Sequence, residues 1–287
     1  GDEARGKYDT TMFWALLITY ILSQREKLDF TLKIYRKLLS ELLQKGYVFF
    51  TFEQYCSTPV SDLPKRFIIL RHDVDDKVKN SVATAQIEHE LGIRASYYFR
   101  VVKQSNQPAM IRAIAVLGHE IGYHYEDMSR ARGDAQKASA HFAEALAYFR
   151  EYYPVRTICM HGAPTSKWDS KALWEGYDYR DYGIVGEPYF DVDFSRVFYL
   201  TDTGRRWDGY KVSVRDKVPV YQDEWTAKSW VYHHTRDIIN AVKNNTLPAC
   251  IMITTHPQRW TNNILFWLKE CIMQCLKNIV KRLFFIK

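Results

Sequence analysis

The sequence predicts an α/β fold with a parallel sheet, carried by one main domain. Three observations predict it. Strand-like runs alternate with helix-like runs along most of the 287 residues, the order that builds parallel βα units. Four strand-like runs end in ionisable residues, and in parallel α/β folds the strand C-termini share one face, where sites are built. The composition is that of an ordinary globular chain, 47% hydrophobic and 25% charged, which excludes disorder, a collagen-like repeat and a disulfide-stapled miniprotein.

Residues 1–11 are polar. Residues 12–22 are apolar but short of the ~20 residues that span a bilayer. No small-residue cleavage site follows, and Arg25, Glu26 and Lys27 come next, so the run reads as a buried helix and not a signal peptide. Residues 28–45 set Leu28, Leu32, Tyr35, Leu38, Leu39, Leu42 and Leu43 at helical spacing, with Gly46 as the stop. A short aromatic strand spans 47–52, and a loop with Pro59 and Pro64 follows. The strand at 66–70 runs into Arg71-His72-Asp73-Val74-Asp75-Asp76. A helix at 78–91 stops at Gly92. Then come a strand at 95–102, a helix at 108–117, a strand at 120–125 ending in His124-Tyr125-Glu126-Asp127, and a helix at 135–152. The strand at 157–160 ends in His161, and the strand at 249–255 ends in His256. Residues 165–230 break the rhythm, with short strands only at 197–200 and 210–214, and read as a functional loop region. Residues 264–276 are predicted to pack on the sheet as the last helix.

The five cysteines are irregularly spaced and form no CxxC pair. They read as free thiols in a reducing compartment, which implies a cytoplasmic location. The 40 Lys and Arg against 33 Asp and Glu give a net charge of +7. These cations are dispersed and form no reader motif, so nucleic-acid binding is not predicted. From Lys269 to the end there are five Lys or Arg against one Glu, interleaved with Leu283, Phe284, Phe285 and Ile286. That pattern predicts a peripheral contact of residues 277–287 with an anionic membrane, at its inner face. Aromatic residues reach 15%, with 20 Tyr and 8 Trp, a supply of rings that suits sugar stacking as well as core packing.

Asp73 and Asp75 lie two residues apart on a strand and therefore project together. Two such carboxylates repel unless each has a cation or a proton. A divalent metal on one, with the other left as a base, resolves the conflict. Asp76 fits the N-cap of the next helix. The segment His119-Glu120-Ile121-Gly122-Tyr123-His124 is not an HExxH motif, because its histidines are five apart with a glycine between them.

These residues resemble the polysaccharide deacetylase family (NodB-homology domain, carbohydrate esterase family 4). The likeness runs over residues 66–260. It rests on Asp73-Val74-Asp75, on Gly118-His119-Glu120-Ile121-Gly122 leading to His124, and on Thr254-Thr255-His256-Pro257. The full set (RHDVD, GHEIGYHYED, MHG, GEPY, YLTDTGR, HPQRW) resembles an atypical branch associated with surface-glycan gene clusters. The resemblance implies a distorted (β/α) barrel, seven-stranded, over residues 61–287, with residues 1–60 as a helical extension packed on it.

It also implies a divalent metal, zinc first, held by Asp75 and His124, with Asp73 as base and His256 as acid. Met128 stands where the family has a second histidine ligand. His161 is the chosen third ligand, with Glu126 and Asp127 as other candidates and support of Asp73 as its other role. Arg71, Glu126, Glu187, Tyr189, Asp202, Arg259 and Trp260 are assigned to substrate, with Trp168 and Trp207 as further stacking candidates; the other roles open to Arg71 and Arg259 are orienting Asp73 or a structural salt bridge, and the other role open to Glu187 and Asp202 is capping turns. The implied reaction removes an N-acetyl group from an amino sugar of a polysaccharide or surface-glycan precursor. Hydrolysis of another non-peptide C–N bond on the same fold stands as an alternative. So does carbohydrate binding without catalysis, which Met128 favours.

Overall fold

The computed structural model describes residues 28–163, 165–208, 213 and 217–284. The apolar run at 12–22, the strand expected at 210–214 apart from Ser213, and the last three residues lie outside the described residues.

Seven parallel strands form one sheet: β1 (Val48–Phe50), β2 (Phe67–Val74), β3 (Ser96–Phe99), β4 (Glu120–Tyr125), β5 (Ile158–Met160), β6 (Phe198–Thr201) and β7 (Cys250–Thr255). Their order is β5-β4-β3-β2-β7-β6, with β1 also on β2. Among the described residues β5 and β6 do not pair, so the expected distorted (β/α) barrel is open between them. β2 is its centre. It pairs with β7 along Phe67–His72, with β1 along Phe67–Ile69 and with β3 along Arg71–Val74. All eight of its residues are buried, as expected of a strand covered on both faces.

Helices fill the crossovers: α1 (Leu32–Gln44), α2 (Phe52–Ser57), α3 (Val78–Glu90), α4 (Pro108–Val116), α5 (Asp127–Arg130), α6 (Ala135–Arg150), α7 (Pro188–Asp191), α8 (Pro219–Ala227), α9 (Thr235–Lys243) and α10 (Ile264–Phe284). α1 shows how the sequence sets an element. Thr31 caps it by accepting from the Ile34 N–H. Ile34, Tyr35, Leu38, Leu39 and Leu42 bury one stripe. Gly46, at φ 78°, turns the chain out of the helix.

On the near side of residue 60, β1 is hydrogen-bonded into the sheet and the buried side chains of α1 join the common core. A buried carboxylate also ties α1 to the barrel. Glu88 of α3 accepts from Tyr35 Oη at 2.5 Å and from Tyr97 Oη at 2.8 Å, and His72 Nε2 lies 2.8 Å away.

α10 departs from expectation. It was to lay an apolar face on the sheet. Instead it packs against the loop at Thr203–Arg205, and Leu265, Ile272, Leu276, Ile279 and Leu283 are all exposed. The polar side faces inward: Gln274 is buried, and Asn278 donates to the Gly204 carbonyl at 2.9 Å. Periodicity identifies an amphipathic helix but not which face is covered, and here hydrogen bonds to the mouth loops decide it. Among the described residues no helix is long and apolar enough to cross a membrane.

Gly122 on β4 lies under the Tyr98 ring, where an added Cβ would meet Tyr98 Cε1 at 2.3 Å and the Thr157 carbonyl at 3.0 Å. Gly122→Ala is expected to lower unfolding stability by ~2 kcal/mol through overpacking, read from urea denaturation midpoints. An unchanged midpoint would mean that the two strands part freely at this position.

Candidate metal centre

Arg71 and Asp73 project from one face of β2, and Asp75 follows just beyond its end. The Arg71 guanidinium grips Asp73 through two hydrogen bonds, Nε to Oδ1 at 2.8 Å and Nη2 to Oδ2 at 2.6 Å. Both groups are buried. A fork-to-fork pair of this kind fixes a carboxylate in direction.

Asp75 has no such partner. Its Oδ1 is buried without a hydrogen bond, and around it stand His124 Nε2 at 3.4 Å and His161 Nε2 at 3.5 Å. Each imidazole is pinned from behind. His124 Nδ1 bonds the Cys159 carbonyl at 2.9 Å. A carbonyl only accepts, so Nδ1 carries the proton and the Nε2 lone pair faces Asp75. His161 Nδ1 lies 2.9 Å from Glu126 Oε2, and Arg100 holds both oxygens of that carboxylate at 2.8 to 3.0 Å. Burial alone would raise the Glu126 pKa, but His161 and Arg100 outweigh it and bring it to about 2. Glu126 is therefore an anion that accepts from His161, leaving that Nε2 lone pair pointing inward as well. A carboxylate behind an imidazole is the usual support of a metal-ligating histidine.

The three donor atoms lie within 4.8 Å of one another. Two imidazole nitrogens and a carboxylate oxygen suit zinc or a similar divalent ion. The electrostatics agree. Burial opposes charge on His124, yet the Asp73 and Asp75 carboxylates raise its pKa, so the place attracts positive charge. Asp75 is held well below the usual carboxylate range: burial opposes this, and His161, His124 and His256 outweigh it. Asp73, His124 and Cys159 form a second possible donor set, but there the Asp73 oxygens already serve Arg71, whose charge would repel a cation.

His256 closes the cavity from β7. Its Nδ1 bonds Asp202 Oδ1 at 2.6 Å, and its Nε2 lies 3.8 Å from Asp75 Oδ2. Asp202 is fully buried and also accepts from the His256 N–H, Arg259 and the Trp260 indole. Burial would raise its pKa, but Arg259 and His256 lower it. The cavity among Asp73, Asp75, His124, His161, Tyr189 and His256 has a volume of about 110 Å³, enough for a water and a small acyl group.

Several residues assigned to substrate have other places. Arg71 and Asp202 are buried partners of Asp73 and His256. Glu126 orients His161. Glu187 is fully buried and caps α7, accepting from the Tyr189 N–H at 2.6 Å and the Met160 N–H at 3.0 Å. Trp260 and Trp207 are core rings with no exposed surface, and Trp207 stacks on Phe30. Trp168 lies over Gly133. Tyr189 and Arg259 do line the cavity. Of the other ligand candidates, Asp127 is buried on the Tyr123 hydroxyl at 2.8 Å, and Met128 is buried in the core. Two site residues escaped the sequence reading: Arg100 behind Glu126, and Gln258, whose Nε2 lies 3.4 Å from Asp75 Oδ2. Arg100 had a signal, as the polar residue that ends the run Tyr97-Tyr98-Phe99, and Gln258 had one as the middle residue of HPQRW.

No protein-family model matches the chain, and no curated protein matches it. Solved structures similar to it include IcaB from Ammonifex degensii, 16% identical with a TM-score of 0.40, covering 50% of this chain and 72% of that one. A CE4 family pseudoenzyme from Bacillus anthracis is 11% identical with a TM-score of 0.40, covering 76% of this chain and 66% of that one. A mutant of a CE4 family pseudoenzyme with restored enzymatic activity is 10% identical with a TM-score of 0.40, covering 77% and 69%.

Two outcomes follow from the support groups. Glu126→Gln is expected to weaken zinc binding by about 10- to 100-fold in calorimetry, whereas an unchanged affinity would detach His161 from the ion. Burial pushes the Glu187 pKa up to about 7 against the Met160 and Tyr189 N–H groups and Arg71. A raised carboxyl pKa gives stability that is full below the unfolded value near 4.5 and lost as pH rises through 7. Glu187→Gln, which keeps an acceptor for the two N–H groups, should therefore gain melting temperature relative to the parent between pH 5 and 8. A constant difference across that window would refute the shift.

Proposed function

We propose that the protein is a divalent-metal-dependent hydrolase that removes an N-acyl group, acetyl first, from an amino sugar of a polysaccharide or surface-glycan precursor. One observation carries the reading: three histidines, each fixed through Nδ1, turn Nε2 toward one small cavity beside two carboxylates with different partners. The motif order, which resembles that of polysaccharide deacetylases, supports it. The fit of Asp75, His124 and His161 to zinc supports the metal. The free state of the five cysteines suits a reducing, cytoplasmic compartment.

Asp75, His124 and His161 would hold the ion, which when bound supplies a Lewis acid that polarises an amide carbonyl and makes a water easier to deprotonate. Asp73 takes the proton of the attacking water. Arg71 holds it aimed through two hydrogen bonds, so the base is ready without rearrangement. Water oxygen adds to the carbonyl carbon, and the C–N bond then breaks. The nitrogen leaves only if it gains a proton, and His256 Nε2 gives it. Asp202 holds the ring through Nδ1, while Arg259 and Trp260 satisfy the rest of Asp202. The products are a free amine and a carboxylic acid. The Tyr189 ring lines the cavity, whose volume of about 110 Å³ admits acetyl or formyl.

Zinc-loaded protein is expected to release acetate from N-acetylglucosamine oligomers. Asp73→Asn and His256→Ala should each lower kcat by about 10²- to 10⁴-fold, and His256→Ala should keep its zinc. Equal acetate release by chelator-treated protein, or by His256→Ala, would overturn the reading.

A further inference from the structure

α10 is built inside out. The side toward the body is polar: Glu270 pairs with Lys77 at 2.8 Å, Gln274 is buried, Asn278 bonds Gly204, and Lys281 lines the metal cavity. The side toward solvent is an unbroken apolar stripe of Leu265, Ile272, Leu276, Ile279 and Leu283, each at least 48% exposed. Spacings of seven, four, three and four residues keep these on one face of the helix. A stripe of this length on a soluble surface marks a contact with something apolar.

Charge selects the occupant. From Ile264 to the end the sequence has five Lys or Arg against one Glu, a balance that favours an anionic bilayer over a second copy of the same basic helix. The helix cannot cross a membrane, so it would lie in the interface.

A groove of about 840 Å³ runs between α10 and the mouth of the barrel. Its lining includes Asp75 of the metal centre, the cations Arg100, Arg259, Lys277 and Lys281, and the apolar side chains Met273, Leu276 and Val280. The metal site, cations and apolar side chains of α10 thus share one groove.

We propose that α10 docks the protein on an anionic membrane surface and that the groove takes an amino sugar carried on an anionic lipid, its charged linkage on the lysines and its chain along the helix. The contact thus extends from the expected 277–287 to the whole outward stripe. The substrate class rests on the hydrolase reading; the docking does not.

The full chain should float with vesicles of equal parts phosphatidylcholine and phosphatidylglycerol and stay behind with phosphatidylcholine alone. The double variant Ile279→Asp, Leu283→Asp should lose flotation while keeping zinc binding and its melting temperature. Flotation that survives the variant would overturn the docking. So would a dimer in sedimentation that the variant splits, meaning a second copy covers the stripe, or a fall in melting temperature, meaning residues 12–22 do. For the groove, decyl phosphate is expected to bind in calorimetry at least tenfold more tightly than inorganic phosphate; Val280→Asp should remove that preference, and Lys277→Glu should weaken both probes. Equal binding of the two probes, or a preference that Val280→Asp leaves intact, would overturn the lipid-borne substrate even if acetate is released from soluble oligomers.

Discussion

Two carboxylates, Asp73 and Asp75, stand side by side at the end of the central strand, and the surrounding residues answer their repulsion in two different ways. Arg71, two residues earlier on the same face, neutralises Asp73 with a buried two-point grip. Asp75 is left with a buried oxygen that nothing in the protein satisfies and two imidazole lone pairs beside it. His161, His124 and His256 outweigh its burial and keep it charged. A divalent ion at that point would take the same oxygen and the two nitrogens as donors, so the arrangement that keeps Asp75 anionic also suits a cation.

The histidines repeat one device. Each spends Nδ1 on an acceptor that cannot give a proton in return, a carbonyl for His124 and carboxylates for His161 and His256. Each therefore offers Nε2 inward in a fixed tautomer. The acceptors come from different elements: Cys159 on β5, Glu126 at the end of β4, Asp202 at the end of β6. Parallel strands deliver all of them to one face, which explains why this topology can assemble such a site from residues scattered between 71 and 259.

The sequence made the strands and their polar ends legible, because alternation of helix and strand periods is a local signal and a histidine after an apolar run is visible without any structure. Asp73, Asp75, His124, His161 and His256 could be gathered on that basis. The supporting residues were legible only as alternatives, Arg71 as orienter of Asp73 or substrate contact, Glu187 and Asp202 as turn caps or substrate contacts. Arg71, Glu126, Glu187, Asp202 and Trp260 look like ligand contacts in a one-dimensional reading, since they are polar or aromatic and sit near motifs. Apart from Arg71, whose Asp73 is two residues on, their partners lie up to 62 residues away, and burial turns them into scaffolding. Pairings across such distances leave no trace in local periodicity. The orientation of α10 escaped for a related reason: its amphipathic pattern is symmetric with respect to inside and outside, and only the bonds of Gln274 and Asn278 break the tie.

The account stands or falls on where a metal ion sits. The direct measurement is the anomalous difference density of a crystal grown with zinc. One peak is expected, about 2.0 to 2.2 Å from Asp75 Oδ1, His124 Nε2 and His161 Nε2, with Asp73 still on Arg71. A peak among Asp73, His124 and Cys159, or no peak at zinc concentrations that saturate ordinary zinc sites, would contradict it.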